Sequence, residues 1–83
     1  MLKVSVISPE AVLFEGETDS VVAPAYDGEI GILTGHAPLM ALLGDGALRL
    51  GGTAGPRLNV TGGFMQVLNN DVRIVTEKAT AAN

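Results

Sequence analysis

His36 is the single histidine of this 83-residue chain and the first side chain to consider for catalysis. A catalytic histidine activates a Ser, Cys or Thr nucleophile and is itself oriented by a third polar group. The sequence has no Cys and no Gly-x-Ser-x-Gly frame around a nucleophile. It also has too few imidazole or thiolate ligands for a zinc site. We therefore expect no catalytic residue, metal site or cofactor, and a turn position for His36, where its ring bonds to backbone or to a partner.

Asp27 and Glu29 form the nearest approach to a pair of carboxylates that could work as acid and base. They lie on either side of Gly28, at a predicted hairpin, so a solvated turn is the better interpretation. Gly28, Gly31 and Gly35 are spaced loosely like a phosphate-binding loop. Such loops also need a Lys-Ser/Thr pair and a following helix, and neither is present. We expect no nucleotide binding at this segment.

The charge pattern excludes several partner classes. The net charge is −4, and the five Lys and Arg residues are spread from Lys3 to Lys78. Nucleic acid is bound through a basic stripe that displaces counterions, so we expect no nucleic-acid partner. The apolar runs are shorter than the roughly 18–20 residues of a spanning helix, so direct membrane insertion is not expected. Pro9 and Glu10 interrupt the N-terminal apolar stretch, which is unlike a signal peptide.

Turn signals at short intervals, separated by stretches rich in Val, Leu and Ile, predict an all-β sandwich or barrel. Alternation indicates strands with one buried face, as at Leu2, Val4 and Val6 or at Val72 and Ile74.

Glycine placement adds detail to the predicted connections. Asp27-Gly28 and Asp45-Gly46 predict tight hairpin turns. Gly62-Gly63 predicts a bend where the chain changes sheets. Residues 51–56 and 69–71 are further predicted turns, and the tail from about residue 78 is expected to be frayed.

The run 37–43 is apolar at every position. A strand in an antiparallel sandwich has one wet face, so two apolar faces need a cover on the outside. We favour a protein partner as that cover over a strand buried on both faces.

Three blocks of this chain resemble the N-terminal β-sandwich domain of the epsilon subunit of F-type ATP synthase. That family usually has D-G-E-x-G-I-x-P-G-H-A-P-L where residues 27–39 here have DGEIGILTGHAPL. Its G-G-x-x-x-V followed by N-x-V matches residues 62–67 and 70–72. Ser8-Pro9-Glu10, Leu13-Phe14 and Gly16 form the third block. The blocks occur in order and span nearly the whole chain, although Thr34 replaces the usual Pro.

The resemblance implies a single domain over residues 1–83. It implies a flattened sandwich of two antiparallel sheets with about ten short strands. It also implies a non-catalytic subunit of a rotor, on the cytoplasmic side of a bacterial plasma membrane. Such a subunit links the gamma subunit to the membrane c-ring of a proton- or sodium-translocating ATP synthase and couples ion flow to ATP synthesis. The alternatives are an unrelated interaction or ligand-binding sandwich, and a small enzyme.

The resemblance also assigns contact residues. Five positions are expected to line or border the gamma-facing surface: Ser8, His36, Leu39, Met40 and Ala41. Asp27, Gly28 and Glu29 are expected to meet the c-ring loops. Longer family members continue into a pair of helices that can inhibit ATP hydrolysis and in some bacteria bind ATP. From the sequence in hand we expect assembly of the rotor without that switch.

Overall fold

The strands predicted from short apolar stretches are present in the computed structural model, which describes residues 1–51 and 55–82. The described residues form ten strands. In chain order they are β1 (Leu2–Ile7), β2 (Val12–Thr18), β3 (Ser20–Ala25), β4 (Gly28–Leu33), β5 (Leu39–Leu42), β6 (Gly46–Leu50), β7 (Arg57–Thr61), β8 (Phe64–Leu68), β9 (Asp71–Val75) and β10 (Lys78–Ala82). The all-β prediction is confirmed.

The strands form two five-stranded sheets. Sheet I has the order β2-β1-β9-β8-β5, and sheet II has the order β10-β7-β6-β3-β4. All neighbouring strands pair antiparallel except β1 and β9, which are parallel. A parallel pair cannot be joined by a short hairpin. Here the intervening chain builds the other three strands of sheet I and four of the five strands of sheet II, and β10 follows β9.

Alternate side chains of both sheets fill one core. In β1, Leu2, Val4 and Val6 are fully buried, as the alternation predicted. Val72 and Ile74 of β9 lie beside them in the same sheet. The rest of the buried apolar set comes from both sheets and from Leu43, which follows β5: Val21, Ala23, Ile32, Leu48, Leu50, Val60, Met65 and Val67. Burying a side chain of this size contributes about 1.5–3 kcal/mol, and this term holds the two sheets together.

The connections differ from prediction at two places. The β3–β4 hairpin is closed by Tyr26 and Asp27, because Gly28 already pairs with Ala25, so the turn lies one residue earlier than expected. Asp45-Gly46 does not form a hairpin, since β5 lies in sheet I and β6 in sheet II. A Cβ on Gly46 would lie 3.0 Å from the Cβ of Pro24, so the glycine serves close packing there.

Other predicted connections are confirmed. Asn69 and Asn70 form the β8–β9 turn, with φ of 51° and 62°, the left-handed pair that a type I′ turn requires. Gly62 and Gly63 carry the chain from β7 in sheet II to β8 in sheet I. The predicted turn at residues 51–56 includes residues 52–54, which lie outside the described residues.

The tail, which was expected to be frayed, forms a strand through residue 82. Residues Lys78–Ala82 form β10, which pairs antiparallel with β7, and Ala79 packs against the core. Alanine has a low strand propensity, so the residue types of this segment do not indicate a strand. The open edge of β7 supplies the backbone partners that the tail's own sequence does not reveal.

The two glycines at the sheet crossover provide a matched test of why glycine is needed. Gly63 has φ of 105°, and an added Cβ would overlap the carbonyl oxygen of Val75. Gly62 has φ of 62° and open space around it. We expect Gly63→Ala to lower the free energy of unfolding by about 3 kcal/mol or more, because steric overlap adds to backbone strain. Gly62→Ala should lower it by about 1–2 kcal/mol. Urea denaturation measures both, and equal losses would contradict the overlap.

Candidate partner-binding surfaces

The outer face of sheet I carries apolar side chains that run across all five strands. Cross-strand pairs join these residues in the order Leu42, Phe64, Val75, Ile7 and Val12. The last pair, Ile7 and Val12, lies just past a shift in the β1–β2 register. We call this set the apolar row. Leu42 and Val12, at its two ends, are 68% and 61% exposed. Soluble domains rarely expose contiguous apolar surface without a use for it, so the row is a candidate partner site.

A second row lies beside the apolar row, one pleat further along the same face. It begins with Met40, which is 64% exposed. Polar side chains continue it across the sheet: Gln66, Arg73, Ser5 and Glu15. An apolar strip with a polar neighbour has the composition of a protein interface, which combines an apolar centre with a polar rim.

Leu39, Met40 and Ala41 of β5, all predicted to face gamma, lie on both faces of the strand. Met40 points outward with Leu42. Leu39 and Ala41 lie on the core side, where Leu39 packs against the buried cluster. The prediction that both faces of this strand are apolar is therefore confirmed, but Leu39 and Ala41 support the surface from beneath rather than lining it. Side chains alternate along a strand, so three consecutive residues cannot share one face.

Ser8 and His36 lie at opposite ends of sheet I. Ser8 follows Ile7 at the end that carries the apolar row, and its Oγ accepts the N–H of Ala11 at 3.3 Å. His36 precedes β5 at the other end, where Nδ1 lies 2.7 Å from the carbonyl oxygen of Ala37. A six-residue strand such as β1 is about 20 Å long. One partner can therefore contact both Ser8 and His36 only if it extends along the full length of the strands of sheet I.

The β3–β4 hairpin presents the residues predicted for the c-ring. Asp27 and Gly28 are exposed at the turn. The side chain of Glu29 is 62% exposed and forms an ion pair with Arg49 Nη2 at 3.4 Å. An exposed pair of this kind contributes at most about 1 kcal/mol, so Glu29 can exchange Arg49 for a partner's cation at little cost.

The hairpin tip adjoins the apolar row. The backbone N–H of Tyr26 donates to the carbonyl oxygen of Leu42 at 2.9 Å, and Tyr26 itself is 80% exposed. Tyr26, Leu42 and Phe64 were not predicted as site residues. Leu42 could have been identified, since it shares a face with Met40 two residues earlier. Phe64 and the rest of the row could not, because their alignment depends on strand pairing that the sequence does not state.

The loop from β4 to β5 contains His36 and is built on a tight turn. The N–H of His36 donates to the carbonyl oxygen of Leu33 at 3.1 Å, which makes Thr34 and Gly35 the central residues. Gly35 has φ of 87°, the positive value that a type II turn needs at its second central position. The first central position of such a turn favours Pro. Pro is the residue that the sequences resembling this chain usually have at the position of Thr34.

A metal centre and a membrane-spanning helix are two further kinds of functional element. Among residues 1–51 and 55–82, no group of three or more His, Cys, Asp and Glu side chains is placed to hold a metal ion. In the same part of the chain, no helix has the length and apolar character needed to cross a bilayer.

The sequence matches the model of a known family. The model is that of the ATP synthase delta/epsilon chain, β-sandwich domain, and it matches residues 1–82. The chain belongs to this family.

Relatives of this family in bacteria match most of the chain. The ATP synthase epsilon chain of Leptospira interrogans is 48% identical over 77 residues, which cover 92% of this chain and 61% of the relative. The epsilon chain of Syntrophomonas wolfei is 42% identical, with 89% and 56% covered. The chain thus spans about 60% of the length of these relatives.

Solved structures agree on the fold. A chain in the Euglena gracilis mitochondrial ATP synthase structure, which contains OSCP, F1 and the c-ring, has a TM-score of 0.86 at 23% identity, with 96% of this chain and 52% of that chain covered. A chain in the Tetrahymena thermophila mitochondrial ATP synthase central stalk and c-ring structure has a TM-score of 0.78 at 18% identity, with 95% and 65% covered.

The structure gives the motifs of this β-sandwich family a physical basis. Residues 27–39 contain the hairpin tip, strand β4 and the type II-like turn before β5. Gly62-Gly63 is the sheet crossover, where the second glycine leaves no room for a side chain. Asn70 supplies a left-handed residue to the β8–β9 turn. Each of the three blocks of resemblance therefore combines a turn or crossover with residues of the adjacent strands.

Thr34 offers a test of the turn. Thr34→Pro should raise the free energy of unfolding by about 0.4–1 kcal/mol, because proline fixes φ at the first central position and restricts the unfolded chain. Leu33, the preceding residue, is extended in β4 and tolerates a following proline. Thr34→Ala is the control and should change stability little. Thermal or urea unfolding measures the difference, and a destabilised Thr34→Pro would mean that the turn has another geometry.

Proposed function

We propose that this domain is a non-catalytic rotor element of a proton- or sodium-translocating F-type ATP synthase in bacteria. In this proposal it docks on the gamma subunit, rests on the c-ring at the cytoplasmic side of the plasma membrane, and helps to couple ion flow to ATP synthesis. Family membership and the bacterial relatives named as epsilon chains support this function. The observation that carries it is the apolar row, because a stiff sandwich with an exposed apolar strip is suited to permanent docking.

The gamma subunit is assigned to the outer face of sheet I. Met40 and Leu42 project from β5 and are 64% and 68% exposed. Apolar side chains that remain in water contribute nothing to the fold, whereas covering them by a partner yields about 25 cal/mol per Å². The polar row with Gln66 and Arg73 supplies hydrogen-bonding groups at the rim of the same surface.

The c-ring is assigned to the hairpin tip. Asp27 and Glu29 present carboxylates beside an exposed Tyr26, and Glu29 forms an ion pair with the half-buried Arg49. A basic residue in the ring loops would compete for Glu29 at a wet rim. The two contact regions meet where Tyr26 bonds to Leu42, so one corner of the domain would touch both partners.

Assembly is the direct test of the proposal. The full 83-residue chain, tagged and expressed in a bacterium whose own synthase is intact, should co-purify from membranes with gamma and the c-ring. Recovery as a stable monomer, with neither partner, would favour the alternative of an unrelated interaction or ligand-binding sandwich.

Met40→Glu tests the gamma surface. A charge placed without a partner in a desolvated interface is strongly unfavourable, so we expect gamma binding to weaken by about 2 kcal/mol or more, over tenfold in Kd. Leu42→Glu should act alike. The isolated domain should keep its stability within about 0.5 kcal/mol, because both side chains are exposed.

Thr80→Glu, on the exposed outer face of sheet II, is the control and should bind gamma normally. Binding is measured by titration calorimetry and folding by urea denaturation. Unfolding of the isolated Met40→Glu domain would show that Met40 belongs to the core.

Glu29→Gln tests the ring contact. We expect weaker docking on isolated c-rings by up to about 1 kcal/mol, with a larger effect at low salt, because exposed ion pairs are screened. Glu17→Gln on edge strand β2 is the matched control, since that exposed carboxylate lies on the opposite side of the domain. Co-sedimentation over a salt series gives the comparison. Identical docking of Glu29→Gln and the unaltered chain at every salt concentration would remove the electrostatic role.

A further inference from the structure

Asn70 connects three segments that are distant in the sequence. It lies in the β8–β9 turn with φ of 62°. Its backbone carbonyl oxygen accepts the N–H of Lys3 at 2.8 Å, at the start of β1. Its side-chain Oδ1 accepts the N–H of Gly35 at 2.7 Å, across 35 residues of sequence. The side chain therefore reaches from sheet I to the loop that arrives from sheet II.

The Gly35 N–H needs a partner from outside its own turn. In the turn from Leu33 to His36, the N–H of His36 closes the ring and the N–H of Gly35 points away from it. Gly35 is exposed, has φ of 87°, and has no heavy atom within 4 Å of where a Cβ would lie. Gly35 thus makes no side-chain packing contact of its own, and the bond to Asn70 joins the turn to sheet I.

We infer that Asn70 is a positioning residue for the loop at residues 34–38, which sets where His36 and the start of β5 stand. The consequence for binding rests on the proposed function: the position of this loop makes Asn70 a determinant of the affinity for gamma, although Asn70 is not one of the expected contact residues. Ordering a loop before docking removes an entropic cost from association. Loss of the tether should weaken gamma binding while leaving the sandwich folded.

Three substitutions separate the side-chain bond from the backbone turn. Asn70→Gly keeps the left-handed conformation without strain and removes the acceptor. Asn70→Asp keeps an oxygen acceptor and still tolerates the left-handed region. Asn69→Gly makes the same change in the same turn at an exposed side chain, and serves as the matched control.

The first measurement is amide hydrogen exchange of the 83-residue chain by NMR. In Asn70→Gly we expect Gly35 exchange to accelerate at least about tenfold, while the core strands keep their protection. Asn70→Asp and Asn69→Gly should leave Gly35 exchange within about twofold of the unaltered chain. Unchanged Gly35 exchange in Asn70→Gly would overturn the inference, whatever the Kd for the gamma subunit.

The second measurement is the Kd for purified gamma subunit. We expect about five- to tenfold weaker binding for Asn70→Gly and recovery in Asn70→Asp, because a single loop has to be ordered on docking. Normal gamma binding by Asn70→Gly with accelerated Gly35 exchange would overturn the link between loop order and affinity. Absence of gamma binding by the unaltered chain would instead refute the proposed function, and the exchange data would still decide the role of Asn70.

Discussion

The packing of alternate side chains from two sheets into one core is the interaction on which this structure depends. The pleat has a period of two, so burying Leu2, Val4 and Val6 forces Lys3, Ser5 and Ile7 outward. The same rule applies along the other strands of sheet I, and the cross-strand register then aligns the outward residues in rows. The exception is β2, where the register with β1 shifts between Val6 and Ile7. A slip of one residue in any strand would move its apolar set to the solvent face. The core thus fixes the surface that a partner meets.

The sheets also need hydrogen-bonded corners, since packing alone does not satisfy backbone groups where strands change sheets. One corner is closed by Tyr26, Leu43 and Gly44, whose N–H groups donate across the junction of β3, β5 and β8. At another, the buried Thr76 places its Oγ1 between the backbone of Thr61 and the carbonyl oxygen of Lys78, at 3.1–3.3 Å. A buried hydroxyl with hydrogen-bond partners avoids the free-energy cost of a buried hydroxyl that has none. These bonds satisfy the backbone groups at the points where the chain passes from one sheet to the other.

Local sequence patterns predicted most of the fold but only part of the candidate site. Strands in which apolar and polar residues alternate, such as β1 and β9, were predictable. So were the connections at Asn69-Asn70 and Gly62-Gly63. In each case the residues that determine the local structure lie within a few positions of one another. The strand β10 was not, because its partner β7 is remote and its own alanines are weak strand formers. Asp45-Gly46 resembled a hairpin because a glycine needed for close packing against Pro24 looks the same in sequence as one needed for a turn. Met40 was found from composition, whereas Phe64 joined it only through pairing.

The positions of the surfaces relative to one another bear on how such a domain could work. The hairpin tip and the apolar row share one corner through the bond from Tyr26 to Leu42, and the loop with His36 lies at the far end of β5. In the proposed rotor, a load applied at the tip would pass directly into the gamma-facing strand β5. That strand is an edge of sheet I, hydrogen-bonded on one side to β8 and capped at both ends by loops. Its stiffness therefore depends on how firmly those loops are held, at one end by the backbone bonds of Tyr26 and Leu43 and at the other by the side chain of Asn70. A coupling element of this kind needs both ends fixed, because a strand free at one end would bend instead of transmitting the load.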